Sequence, residues 1–226
     1  MNELTPPVLD WTTAPAFGRT EALKKTLALL SERLPQERDF NIVEVGTAYR
    51  YDLNELGNAI LAFAWFASTF GGKVYIFDPL QPSIKSAQDI LRQHGKPHAC
   101  IDHCFWFQMS GWKIREVLPP NLRIPIDLIY LDAFIGPTNH NVCKEPNTDK
   151  NEWYDELYTR IKHLFVPGSL LLIDDTNPTN FDGKGCTLIP RLLRDGDWRR
   201  IGPEEGFPAA AAMVLMEKRS HGEGGD

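Results

Sequence analysis

The chain has 226 residues, 42% hydrophobic and 24% charged, a length that suits one α/β domain and can bury a core without disulfides or structural zinc. Lys and Arg total 24 against 30 Asp and Glu, and the resulting net charge of −6 disfavours general nucleic-acid binding, because a negative surface repels a phosphate backbone. Cys100, Cys104, Cys143 and Cys186 form no CxxC pair and are expected as reduced thiols; MNELTPPVLDW has no signal-peptide pattern, and the apolar run from Ala59 to Phe70 is too short to cross a bilayer, so the sequence predicts a soluble, cytoplasmic protein.

Residues 1–19, with Trp11 and several prolines, are expected to form an arm or lid ahead of the domain. From there helical and β-rich segments alternate. A helix near Thr20 to Arg33 precedes a strand at Asn41 to Val45; a helix from about Leu53 to Thr69 precedes one at Lys73 to Phe77; a helix from Ser83 to His94 precedes one at His103 to Phe107. A short helix at Gly111 to Val117 leads to a strand at Ile126 to Leu131, a helix at Glu152 to Leu164 to one at Ser169 to Ile173, and a helix at Thr187 to Arg194 to two closing strands, Trp198 to Ile201 and Ala210 to Glu217. Short runs rich in Val, Ile, Leu and aromatics, each followed by a helix, are the pattern of buried parallel strands. The expected fold of residues 20–219 is therefore α/β, a Rossmann-like seven-stranded mixed sheet, mostly parallel, ending in an antiparallel C-terminal edge, with helices on both faces. Residues 220–226, SHGEGGD, are expected as a frayed tail.

Ligands of open parallel sheets collect beyond the carboxyl ends of the strands. Here those ends read Glu44-Val45-Gly46-Thr47, Asp78-Pro79, Asp132-Ala133-Phe134 and Asp174-Asp175-Thr176-Asn177, so four strands deliver a carboxylate to one rim. Each acid taken singly could be a helix cap or turn former. Gly46 would let a ligand approach the backbone, but the segment Thr47-Ala48-Tyr49-Arg50-Tyr51-Asp52 lacks the GxGxxG fingerprint of a dinucleotide site. Asp52 suits an ammonium group better than a phosphate, and Asp78 can accept hydrogen bonds from both hydroxyls of a ribose. Asp132, Asp174 and Asp175 would repel one another unless a cation or raised pKa relieves them, and a hard divalent ion with oxygen ligands is one answer; a helix cap with a solvated neighbour is the other.

With these residues in place, the segment from about Ile42 to Glu217 resembles the class I S-adenosylmethionine-dependent methyltransferases. VEVGT is similar to the family's first motif, YIFDP to its ribose-binding strand end, and DLIYLDAF and PGSLLLIDD to its fourth- and fifth-strand motifs. Within the class, LDAF followed by LLIDD is similar to the divalent-metal-dependent O-methyltransferases of the catechol and the macrocin and mycinamicin sugar types. That resemblance implies that Glu44, Gly46, Thr47, Ala48 and Asp52 surround the methionine part of S-adenosylmethionine, with Asp78 on the ribose. It puts Ser110, Gly111 and Trp112 beside the adenine, although Trp112 could equally be a core residue. It further implies Mg2+ or another divalent cation on Asp132, Asp174 and Asp175, Asp132 also bordering the cofactor.

The family bases do not carry over, since the corresponding positions hold Phe134 and Ile135. The polar segment GPTNHNVCKEPNTDK, Gly136 to Lys150, is expected at the substrate entrance; His140 in it titrates near neutrality and could deprotonate a hydroxyl, or could be a solvated loop histidine. Lys144 is a weaker candidate. Trp11, Tyr49, Tyr51, Phe134, Trp153 and Phe181 could shape the pocket of an organic substrate. The expectation is an O-methyltransferase of a natural-product sugar, polyol or phenol, with a small-molecule acceptor, no nucleic-acid or membrane partner, and an oligomeric state left open to a homo-oligomer. The alternatives are a metal-independent N- or O-methyltransferase, an inactive nucleoside-binding protein and, ranked lower because no Lys/Arg cluster larger than Arg191 to Arg200 appears, an RNA methyltransferase.

Overall fold

The computed structural model describes residues 20–35, 37–47, 59–94, 98–111, 113–133, 150–177, 179–181, 183–202 and 213–220. The expected arm at 1–19, the start of the second helix at 53–58, the loop residues 136–149 and the tail from 221 lie outside them. Helices are α1 (Thr20–Ser31), α2 (Ala59–Phe70), α3 (Gln81–His94), α4 (Lys150–Ile161) and α5 (Leu188–Asp195). Strands are β1 (Asn41–Val45), β2 (Lys73–Asp78), β3 (Cys104–Gln108), β4 (Ile126–Leu131), β5 (Phe165–Ile173), β6 (Trp198–Gly202) and β7 (Val214–Lys218).

The strands form one sheet in the order β3-β2-β1-β4-β5-β7-β6. The chain builds outward from β1 through β2 to β3, then returns to place β4 on the other side of β1. The β1/β4 seam is therefore the point where strand order reverses, and crevices for ligands open at such seams. Every residue of β1 and β4 is buried, as a doubly covered parallel strand requires. One face packs Ile42, Ile76, Leu128, Tyr130 and Leu172 under α1, α2 and α3; the other packs Val43, Phe77, Ile129 and Leu171 under α4 and α5. No helix among the described residues is long and apolar enough to cross a membrane. Cys100 and Cys104 are free and buried.

Three details differ from the expected elements. The segment at Gly111 to Val117 is only a 3₁₀ turn at Ile114–Glu116, because Glu116 folds back to accept hydrogen bonds from the Ser110 N–H and hydroxyl, a local competitor to helix. β5 begins at Phe165, four residues early, with Ser169 Oγ bonded to the carbonyls of Val166 and Ile126 where the pairing with β4 slips. The antiparallel strand is not the edge: β7 pairs with both β5 and β6. The sheet thus ends on β6, which runs in the same direction as the parallel core.

At the amino ends of the strands Asp127 accepts two hydrogen bonds from the Arg38 guanidinium, at 2.7 and 2.6 Å, and a third from the Asn41 N–H at 2.8 Å. This clamps the starts of β1 and β4 together, opposite the rim where the site lies. A cavity of about 260 Å³ also opens at that end, between Leu118–Pro120 and Ile161–Leu164.

Candidate active site

The backbone ladder runs one residue past the strand ends and fixes the rim. Gly46 N–H donates to Phe77 O at 2.9 Å, Asp132 N–H to Val45 O at 2.9 Å and Asp174 N–H to Leu131 O at 3.0 Å. In register, Glu44 lies between Ile76 and Tyr130, and Tyr130 beside Leu172. Side chains repeat every second residue along a strand, so Asp78, Asp132 and Asp174, each two beyond this row, stand on the same face as Glu44. The carboxylate rim expected from the strand ends is present, and it crosses the β1/β4 seam.

Gly46 has φ +88°, and a Cβ there would stand 2.6 Å from the Asp132 carbonyl oxygen and 2.7 Å from the Ala133 nitrogen. Beside the expected role of admitting a ligand, glycine is required here so that the exits of β1 and β4 can touch.

Asp78 is 3% exposed. One of its oxygens accepts the Thr47 N–H at 3.0 Å and the other the Leu80 N–H at 2.7 Å, which ties the exit of β1 to that of β2. Burial raises its pKa to about 6, with the negative charge of Asp132 adding to the effect and the two N–H bonds opposing it. Burial, and then the charge of Asp132, push Glu44 well above the ordinary carboxylate range. The Thr47 hydroxyl lies near enough to favour the charged form of Glu44, yet Glu44 Oε2 and Thr47 Oγ1 are both buried without a hydrogen-bond partner among the described residues. Orphaned buried oxygens are costly and uncommon, and they identify this corner as one that a polar ligand would satisfy. Each Asp78 oxygen keeps a lone pair for a hydroxyl, and Glu44 suits an ammonium, so these residues fit the nucleoside and amino-acid ends of S-adenosylmethionine.

Two of the aspartates further along, Asp132 and Asp175, do share a cation, and it is Lys184. Its ammonium lies 2.5 Å from Asp132 Oδ1 and 2.9 Å from Asp175 Oδ2, with the side chain only 8% exposed. Asp174 is occupied separately, one oxygen accepting the Tyr130 hydroxyl at 2.6 Å and the other the N–H of Asp175 at 2.7 Å. A divalent ion on Asp132 and Asp175 would need their oxygens about 2.0–2.6 Å away, in the space the ammonium fills. Among the described residues no group of three or more His, Cys, Asp or Glu could hold a metal ion. The expected metal set of Asp132, Asp174 and Asp175 does not fit a cation of that kind in this arrangement.

Tyr154 of α4 donates to the Ala133 carbonyl at 2.7 Å and holds the exit of β4 from the opposite face. Burial, then the charges of Asp132 and Asp175, keep its phenol well above the usual range, so it serves as a hydrogen-bond donor rather than a base. Trp153 is 2% exposed and packs edge-on to Tyr154, a core residue rather than a pocket wall. Phe181 is partly buried, with the Arg200 guanidinium 5.5 Å above its ring. Ser110 is exposed and Gly111 buried in the turn after β3. Ala48, Asp52, Trp112 and His140, with the pocket candidates Trp11, Tyr49, Tyr51 and Phe134, lie outside the described residues.

No family model matches this sequence, and no curated protein sequence matches it. Solved structures do share the fold. CalS11, a TDP-rhamnose 3'-O-methyltransferase of calicheamicin biosynthesis, superposes with a TM-score of 0.55 at 15% identity, over 85% of this chain and 77% of CalS11. SMU.1697c from Streptococcus mutans, solved in complex with SAH (S-adenosylhomocysteine), gives 0.55 at 14%, over 87% and 97%. An rRNA methylase from Streptococcus thermophilus gives 0.51 at 13%, over 88% and 97%. The seven-stranded Rossmann-like sheet is thus a fold that methyltransferases use. The different acceptors of these neighbours carry no choice among substrates.

Proposed function

We propose that the chain is an S-adenosylmethionine-dependent O-methyltransferase of a small molecule, such as a sugar or polyol of a natural product or a phenol, working in the cytoplasm. The observation that carries the reading is the orphaned, buried Glu44 oxygen beside Asp78 at the β1/β4 seam. Asp78 would take the ribose hydroxyls through its remaining lone pairs. Glu44 would face the ammonium, whose charge would draw this buried acid back toward its ionised form. Thr47 would supply its unpartnered hydroxyl, and Ser110 and Gly111 would border the base. When bound, S-adenosylmethionine supplies an electrophilic methyl group. The acceptor oxygen must then lose its proton as the new C–O bond forms, and His140 is the residue proposed to take it.

A small acceptor is favoured over a polynucleotide by the net charge of −6. Calorimetric titration with S-adenosylhomocysteine tests the reading: one equivalent should bind to the wild type, and Asp78→Ala should weaken it at least tenfold. No binding at high micromolar ligand would sink it.

A further inference from the structure

We propose that Lys184 is the resident cation of the rim, taking the place that a divalent metal ion would hold, so that the protein binds no such ion at Asp132, Asp174 and Asp175 and needs none for methyl transfer. The proposal rests on the methyltransferase reading for its second half only; the first half concerns the rim itself.

Placement of the ammonium is built into the backbone. Lys184 lies on a tight return that starts from the end of β5. Asp175 and Gly183 both have positive φ, +45° and +109°, and Thr176 bridges to Gly183 as a single antiparallel pair. The Lys184 N–H donates to Asp175 O at 3.2 Å. The fully buried Thr176 hydroxyl donates to Asp174 O and accepts from the Gly185 N–H, both at 3.0 Å. A Cβ on Gly183 would fall 2.0 Å from Asp175 O, so only glycine lets the two arms of the return meet. These bonds fix the root of the side chain, and its tip is then held between carboxylates that arrive from two different strand ends.

Chemically the substitution is consistent. An ammonium has three N–H donors, and two of them are used on Asp132 and Asp175. A third remains to hold an acceptor oxygen and favour its ionised form, the service a bound metal ion would otherwise give. Unlike a metal ion, the lysine carries one charge rather than two, so the rim stays more negative and suits an uncharged acceptor better than a phosphorylated or carboxylated one.

The test is a Mn2+ titration followed by electron paramagnetic resonance, on the wild type, Asp132→Asn, Lys184→Ala, Lys184→Met and the double variant Lys184→Ala, Asp132→Asn, with folding checked by circular dichroism. The wild type should show no site up to about millimolar Mn2+. Removing the lysine should create one, at least tenfold tighter than any wild-type binding, and Asp132→Asn should remove it again. Wild-type binding of one equivalent that is lost in Asp132→Asn would overturn the proposal, and so would a lack of any gain in both folded single variants. Titration of the same samples with S-adenosylhomocysteine separates the two readings: its failure in every protein refutes the methyltransferase assignment and leaves the Mn2+ result to decide the cation.

Discussion

Protonation of Asp78 acts in opposite directions on the free and the ligand-bound protein. In the free protein its pKa is raised to about 6, above the ordinary carboxylate value near 4. The folded state therefore holds this proton more tightly than the unfolded chain. Its stabilisation is full below about pH 4 and is lost as pH rises through 6. Glu44, shifted in the same direction, adds to this. Binding works the other way, because hydroxyl donors need the carboxylate. Affinity for S-adenosylhomocysteine should fall by up to about tenfold per pH unit below 6. Calorimetry from pH 5 to 8 checks this, and Asp78→Asn should remove the part of the profile that falls near pH 6, leaving that of Glu44. A wild-type affinity that stays constant through that range would show that Asp78 does not face the ligand. Glu44, Asp78, Asp132 and Asp174 could be located because each follows an apolar run and parallel strands end on a common rim. Lys184 could not, since a lysine between two glycines reads as a solvated turn, and its route back to the rim depends on hydrogen bonds of Thr176 that no periodicity encodes. Counting carboxylates along strand ends predicted a cation; it could not say that the chain supplies one.

Among elements, the two ends of the β1/β4 pair do different work. At the carboxyl end Gly46 sits against the backbone of Asp132 and Ala133, which cannot move aside as a side chain could. Gly46→Ala should cost more than about 2 kcal/mol of stability and loosen the site together with the fold. At the amino end, Asp127→Ala would leave Arg38 and the Asn41 N–H without their carboxylate, for a loss of about 2–4 kcal/mol. It should leave affinity for S-adenosylhomocysteine within about twofold, because the clamp and the rim are separated by the length of the strands. Urea denaturation and ligand titration on both variants check the contrast; a large affinity loss in Asp127→Ala would mean that the strands transmit strain along their whole length. The parallel strands were readable from their apolar runs and the helices between them from their spacing. The segment at 111–117 was misread because the Ser110–Glu116 hydrogen bonds, six residues apart, outweigh a weak helical pattern.

Across the whole molecule, the acidic balance that argued against nucleic acid is partly gathered on one rim, Glu44, Asp78, Asp132, Asp174 and Asp175, where Lys184 pairs with Asp132 and Asp175. The fold class was readable in full, because alternation of buried strands and helices leaves few arrangements of a single sheet. The position of β7 was not, since two adjacent C-terminal strands look the same in sequence whether the second lies at the edge or inside. That position has a consequence for synthesis. Until β7 is made, β5 has an unpaired apolar edge and β6 has no neighbour at all, although everything needed for the rim up to Lys184 already exists. The last of the seven described strands in chain order is the one that closes the sheet. A chain ending at residue 212 should therefore accumulate as insoluble protein, and a separate peptide covering 213–220, supplied during refolding, should restore soluble material if the open seam between β5 and β6 is the cause. Each newly made molecule would pass through a vulnerable interval in which six of the seven described strands are present and the sheet is still open to a neighbour's strand.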